Sequence, residues 1–231
     1  MDLLEPTRQA FALLLRGDPE LLQIIWLSIW LSVTAILLIS PPSIAFGVLL
    51  ARRRFPGQRA LVVLVQALLS FPTVVVGLVL YLLLSRRGPF GSLELLFTPT
   101  AIVIGYMVIA FPVLVTFTVS AVQGADPRVF ETARSLGASG KRAALTTLSE
   151  VRFGIIAAVV TAFGRVISEV GCAIMIGGNI DGLTRNMPTA IALETSKGDF
   201  AQGIALGMVL MALALGINVA MAFLQGEGGL K

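Results

Sequence analysis

Three residues that could do chemistry, Arg165, Ser168 and Glu169, lie inside a long apolar segment of this 231-residue chain. Arg165 and Glu169 are four residues apart, so a helix would place them on one face, where they can pair. A charge in hydrocarbon costs roughly 2.5 to 3.5 kcal/mol on insertion scales, which disfavours an unpaired position facing lipid. Two interpretations stay open: a structural ion pair, or residues that line a polar pathway.

A second group of candidates follows in a glycine-rich turn that contains Asn179, Thr184 and Arg185. Glycines leave backbone N–H groups free to face an anion, and Thr184 and Arg185 carry suitable donors. Pro188 then begins a predicted short helix that ends near Gly198. We expect this helix to act as a gate at the outer mouth, and both groups of residues to belong to one pathway.

The residue types that are missing exclude several kinds of catalytic site. The chain has no histidine, which removes His-ligated metal sites and His general bases. We therefore predict no metal site, no cofactor and no catalytic residue in this chain. An intramembrane enzyme using Ser168 with Glu169 or Asp181 is the alternative from another class, but the serine lacks a plausible base. The single Cys172 lies among apolar residues, which indicates a packing role.

The composition predicts the elements that hold these residues. The chain is 56% hydrophobic and 13% charged, against roughly 25% charged residues in soluble domains, and its mean hydropathy is +0.92. We predict an all-α integral membrane protein with about five transmembrane helices. The predicted spans are residues 21–50, 60–84, 101–122, 155–177 and 204–224. The predicted divisions are an interfacial arm at 1–20, one transmembrane domain at 21–227 with an inner loop at 124–153 and an outer loop at 178–203, and a tail at 228–231.

The distribution of lysine and arginine predicts the orientation of the chain. Ten of these residues fall on the side that contains loop 124–153, and six fall on the other side. Cytoplasmic loops carry the excess of positive charge, so we expect this loop and the C-terminus in the cytosol and the N-terminus outside. The net charge of +4 therefore reports topology, and we expect contact with the lipid bilayer and no nucleic acid.

The loop at 124–153 is the one long polar insertion between apolar spans. Asp126 is a good N-cap and Pro127 a good first helical residue, so a short helix should begin there. Gly137 can take a positive φ and would turn the chain before a second amphipathic helix that ends near Leu148. We predict a cytosolic helix–turn–helix. The alternative is a solvated loop whose helices lie on the headgroups.

The first of these helices resembles the cytoplasmic coupling motif of ABC importer permeases. The motif positions in this sequence are Glu131, Thr132, Ala133, Leu136 and Gly137. Thr132 replaces an alanine of the motif, and Glu150 stands near the position of its final proline. The resemblance implies that this helix sits in a cleft of a cytosolic ABC ATPase dimer and transmits its closure. Since this chain has no P-loop, ATP and Mg²⁺ are expected in that partner.

Further segments resemble the branch of this family that carries molybdate, sulfate and tungstate. They are the Glu-Val-Gly stretch at 169–171, the Gly-Asn-Ile turn at 178–180, the Thr-Arg pair at 184–185 and the helix at 190–196, which is most similar to tungstate-specific members. The resemblance implies import of an oxyanion, an extracytoplasmic oxyanion-binding protein and the cell (inner) membrane of a prokaryote. One chain has too few spans to enclose a broad pathway, so we expect a homodimer. The alternatives are the same machine for molybdate or sulfate, and a passive channel or structural membrane subunit.

Overall fold

The computed structural model describes residues 4–52 and 55–225, and within them the secondary structure is helical, without strands. The predicted all-α class is confirmed. The α-helices of these residues are α1 (Leu4–Arg16), α2 (Pro19–Arg52), α3 (Gln58–Leu68), α4 (Thr73–Leu84), α5 (Pro99–Gln123), α6 (Pro127–Ser135), α7 (Gly140–Glu150), α8 (Arg152–Ile167), α9 (Gly171–Gly177), α10 (Met187–Lys197) and α11 (Phe200–Gln225).

Three of these helices, α2, α5 and α11, are each long and apolar enough to cross a bilayer. Helix α2 has 34 residues, which corresponds to about 51 Å of helix and exceeds the roughly 30 Å of hydrocarbon. The number of spans rises to as many as five, by length and composition, when the bent pairs α3 with α4 and α7 with α8 are each counted as one; in the second pair α8 is the apolar helix and α7 the polar one. The fold is therefore that of a helical membrane protein with several spans.

The predicted second and fourth spans are each interrupted and are not single continuous helices, contrary to the prediction from sequence. In the second, α3 and α4 are bent by 97°. Pro72 stands in extended conformation before α4; it has no N–H to donate, and its ring forces the preceding residue out of the α conformation. The fourth span breaks after Ile167, and α9 begins at Gly171. Ser168 and Glu169 lie in this break.

Helix α5 forms the centre of the core, where it packs on α2, α8 and α9. Its Tyr106 is fully buried. Small residues permit the close packing around α9: a Cβ on Gly105 would lie 2.8 Å from Sγ of Cys172, and a Cβ on Gly77 of α4 would lie 2.9 Å from Cα of Cys172. Cys172 is free and fully buried, as its predicted packing role requires.

The short helix α1 packs on α11 and forms the described part of the predicted N-terminal arm. Its Ala10 is buried, whereas Phe11 and Leu15 are exposed, so one face contacts the protein and the other is open. Residues 1–3, the predicted tail at 228–231 and the two arginines at 53 and 54 lie outside the described residues. The predicted division of the chain into arm, domain and tail stays a prediction.

Candidate functional site

The polar hairpin formed by α6 and α7 has the helix–turn–helix geometry that the sequence predicts. The Asp126 carboxylate accepts from the backbone N–H of Arg128 at 2.9 Å and caps α6. Gly137 follows α6 with a φ of 86°, in the left-handed region that favours glycine. No atom lies within 4 Å of a Cβ built on Gly137, so a side chain would have room there. Glycine is favoured because of the backbone angle. The Ser139 hydroxyl accepts from the N–H of Arg142 and caps α7.

A groove of about 590 Å³ runs along this hairpin. Three of the predicted coupling residues line it: Thr132, Ala133 and Leu136. Leu136 is 83% exposed, and Leu145 of α7 is 64% exposed. Large apolar side chains that are exposed beside a groove are typical of a surface that binds a partner. The other two predicted residues, Glu131 and Gly137, are exposed on the same hairpin.

Glu169 joins the two helices at the break in the fourth span. It is 2% exposed, and its Oε2 atom accepts from Nη1 of Arg165 at 2.7 Å. Its Oε1 atom accepts from the backbone N–H of Cys172 at 3.0 Å, in the first turn of α9. One carboxylate therefore pairs with Arg165 and caps α9, where negative charge is favourable. The ion pair expected from the four-residue spacing is present.

Arg165 is paired, yet its side chain is 41% exposed on the surface of the protomer. It lines a cavity of about 230 Å³ together with Thr161 of α8 and Thr73 at the start of α4. The rest of the lining is apolar and comes from the α3–α4 bend and from α5. Ser168 is exposed as well, but its hydroxyl donates to the carbonyl of Gly164 at 2.8 Å. This hydroxyl is thus bonded to its own helix rather than to a general base.

The loop after α9 is stabilised from within. Thr184 is 1% exposed, and its hydroxyl accepts from the N–H of Ile180 at 2.8 Å and donates to the carbonyl of Gly177 at 2.6 Å. Asn179 has a positive φ of 50°. Its Oδ1 atom is buried and has no hydrogen-bond partner among the described residues. Thr184 therefore stabilises the turn. The Oδ1 atom of Asn179 is a hydrogen-bond acceptor that no described residue uses.

Arg185 fastens the same loop to α2. Its guanidinium pairs with Asp181 at 3.0 Å and with Glu20 of α2 at 3.6 Å. The loop residues do not lie beside Arg165, because the seven residues of α9, about 10 Å of helix, separate them. The six predicted pathway residues thus form two groups at opposite ends of α9.

A buried polar contact that the residue pattern does not predict holds α10. Asn186 is fully buried; its Nδ2 atom donates to the hydroxyl of Tyr106 at 3.2 Å, and its Oδ1 atom accepts from the N–H of Thr189. The N–H of Met187 donates to the hydroxyl of Ser28 in α2 at 2.7 Å. An asparagine two residues before Pro188 is a helix-start signal that indicates the cap, but nothing in it indicates Tyr106. The predicted gate helix is therefore anchored to two spans at its first turn.

Residues 43–225 match the family described as "Binding-protein-dependent transport system inner membrane component". A "Probable anion ABC transporter permease protein" of Haloferax volcanii is 39% identical over 86% of this chain and 88% of that protein. The tungstate uptake system permease protein TupB of Peptoclostridium acidaminophilum is 37% identical over 96% of this chain and 98% of its own length. TupB of Campylobacter jejuni is 42% identical over 71% of this chain and 69% of its own. Because the family match covers most of the chain, this protein belongs to the inner membrane components of binding-protein-dependent transport systems.

Proposed function

We propose that this chain is the permease subunit of an ATP-driven importer for a tetrahedral oxyanion, and that this oxyanion is tungstate. The observation that carries the proposal is the exposed guanidinium of Arg165 inside a membrane-spanning segment. A partly exposed cation is costly against hydrocarbon, whereas in a water-filled pathway it attracts an anion. The similarity to two tungstate permeases supports tungstate as the cargo.

The pathway forms between two copies of this chain. Thr161, Arg165 and Asn218 are exposed polar residues on one protomer, and Thr161 and Asn218 also line a groove of about 220 Å³ between α8 and α11. A second copy related by a two-fold axis would cover these groups. Lipid then meets the apolar surfaces, such as the face of α2 that exposes Trp26 and Trp30.

The α6–α7 hairpin is the surface that contacts the ATPase subunit. Its groove and the exposed Leu136 accept a cytosolic ABC ATPase, and two hairpins in the homodimer engage an ATPase dimer. ATP and Mg²⁺ are held by that partner, and this chain holds no cofactor. The hairpin and the C-terminus lie in the cytosol of a prokaryotic cell, and the N-terminus lies outside the inner membrane.

Transport proceeds by alternating access. An extracytoplasmic binding protein delivers the oxyanion to the outer loop, where Asn179, Thr184 and Arg185 lie. Closure of the ATPase dimer pulls the hairpins together and opens the pathway on the outer side, so that the anion reaches Arg165. Glu169 keeps this guanidinium in place, and its negative charge partly offsets the field of the cation, so that the anion is attracted but not held too tightly to be released.

Cellular metal content tests the cargo. Tungsten and molybdenum are measured by mass spectrometry in cells lacking this subunit, in complemented cells and in cells complemented with Arg165→Ala, with both anions supplied at trace levels. We expect tungsten alone to fall without the subunit, to return with the unaltered chain and to stay low with Arg165→Ala. An equal fall in molybdenum would assign the same machine a broader cargo, since molybdate shares its charge and shape with tungstate.

The energy requirement separates an importer from a passive channel or a structural subunit. The full chain is placed in proteoliposomes with its ATPase and its binding protein, and uptake of radioactive tungstate is measured with ATP and with a non-hydrolysable analogue. Uptake that needs hydrolysis agrees with the proposal. Uptake that is equal under both conditions would make this chain a channel.

A further inference from the structure

We infer that Arg52 and Phe130 form a latch that ties helix α6 to the end of α2 and passes the movement of α6 to that span. Arg52 is the last residue of α2. Its guanidinium carbon lies 4.2 Å from the centroid of the Phe130 ring in α6. A guanidinium over an aromatic face is attracted by the ring quadrupole, and the attraction is larger when water is excluded.

Among the described residues, the Phe130 ring is the partner that the structure shows for the Arg52 guanidinium. Its Nε and Nη1 atoms are buried and have no hydrogen-bond partner among the described residues. An arginine that packed at this place only by chance would turn these donors to water, because burying them unpaired costs free energy. The cation–π contact with Phe130 offsets part of that cost, and it joins two elements, α2 and α6.

The latch matters because α6 is otherwise sparsely attached to the spans. Helix α6 packs mainly on α7, and the chain enters α6 from α5 through a short turn at Gly124 and Ala125. A rigid-body movement of the hairpin can therefore be absorbed by the turn. A side-chain contact from α6 to the end of a span gives the movement a second, more direct route.

Helix α2 is suited to carry that movement across the membrane. It is a continuous helix of 34 residues, about 51 Å long. Near its other end Glu20 pairs with Arg185, Gln23 donates to the carbonyl of Gly182, and Ser28 accepts from the N–H of Met187. A chain of contacts thus runs from the hairpin through α2 to the outer loop and α10, which is the kind of connected route that coupling between distant sites uses.

Hydrogen exchange tests the latch without any transport assay. The full chain is placed in lipid nanodiscs, and rapid amide exchange is measured in peptides covering α6 for Arg52→Leu, Phe130→Leu and the double variant. We expect each single variant to speed exchange in α6 roughly five- to tenfold, as loss of a partly desolvated cation–π contact implies. The double variant should be no faster than either single variant, because both remove the same contact.

The chain offers a matched control in Arg152 and Phe153. The guanidinium of Arg152 lies 4.8 Å from the centroid of Phe153, but both residues belong to α8 and bridge no two elements. Arg152→Leu and Phe153→Leu should leave exchange in α6 unchanged. Equal acceleration by this control pair, or additive effects of Arg52→Leu and Phe130→Leu, would overturn the latch.

A second arm tests what the latch does, and this arm rests on the proposed function. In proteoliposomes with ATPase and binding protein, we expect Arg52→Leu to lower the oxyanion imported per ATP hydrolysed several-fold while the ATPase stays bound. Phe130→Tyr keeps the ring face and should leave the ratio at that of the unaltered chain. Faster exchange with an unchanged ratio would overturn the coupling role. If the unaltered chain imports no oxyanion, the proposed function fails, and the exchange arm still decides whether the latch exists.

Discussion

The hairpin of α6 and α7 and the break around Glu169 are both interruptions of the span pattern, but they are built differently. In the hairpin, Asp126 and Ser139 cap helices with groups two or three residues away, and the surroundings are open. At the break, Glu169 is 2% exposed and bonds both the cation that precedes it and the helix that follows it. The hairpin is thus ordered by local contacts in an exposed setting, whereas the break is ordered inside the protein.

The two settings lead to different consequences when a contact is lost. An exposed capping group can be replaced by water, so its removal costs about 1 kcal/mol. The Glu169 carboxylate is buried, so water replaces a lost cation less readily there and the cost is larger, although the 41% exposure of Arg165 keeps that cost below the one for a fully buried pair. The capping groups of the hairpin can therefore exchange protein partners for water, whereas Glu169 at the break depends on the partners that it has in the fold.

The largest effect is expected when the same substitution is made in both regions. Arg165→Leu leaves the buried carboxylate of Glu169 without its cation, and we expect the melting temperature of the purified protein to fall clearly, though by less than loss of a fully buried pair would cause, because the Arg165 side chain is 41% exposed. Arg134→Leu in the hairpin removes an exposed arginine that donates to the carbonyl of Ala138, and should leave the melting temperature nearly unchanged.

A double variant separates the stability of this pair from its function. Glu169→Gln keeps an oxygen that can accept from the N–H of Cys172 and removes the charge that Arg165→Leu strands. The double variant should therefore recover much of the melting temperature while uptake stays absent. Recovery of uptake together with stability would show that Arg165 serves only to neutralise Glu169.

The same difference explains how much the sequence predicts. The cap at Asp126 and the positive φ at Gly137 follow from residue types and near neighbours, so the hairpin is predicted almost in full. The bend at Pro72 is encoded locally as well, but a long apolar run masks it. The break at Glu169 and the bond between Asn186 and Tyr106, 80 residues apart, depend on which helices meet, and residue spacing carries no information on that.

A glycine substitution in the hairpin tests whether its surface, rather than its stability, is what matters. Gly137→Asp puts a side chain at a φ of 86°, which costs about 1 kcal/mol, and adds a charge beside the exposed Leu136. We expect uptake to be abolished and ATPase pull-down to fail, with dimer assembly in the membrane unchanged. Gly140→Asp is the control, because Gly140 begins α7 with open space around it and an acidic residue suits a helix start. Normal uptake by Gly137→Asp would count strongly against the coupling role.

The smallest effect compares two helix caps of one kind in the two settings. Asp126→Ala removes the exposed cap of α6 and should cost about 1 kcal/mol. Asn186→Ala removes the buried cap of α10 and also the donor to the Tyr106 hydroxyl, so we expect a cost of about 2 kcal/mol, because the groups left behind have no access to water. Thermal melts of the two variants in the same detergent measure the difference. If both variants melt at the same temperature, burial does not strengthen the cap. The contacts of Asn186 would then hold the first turn of α10 no more tightly than an exposed cap holds α6, which agrees with a gate that moves.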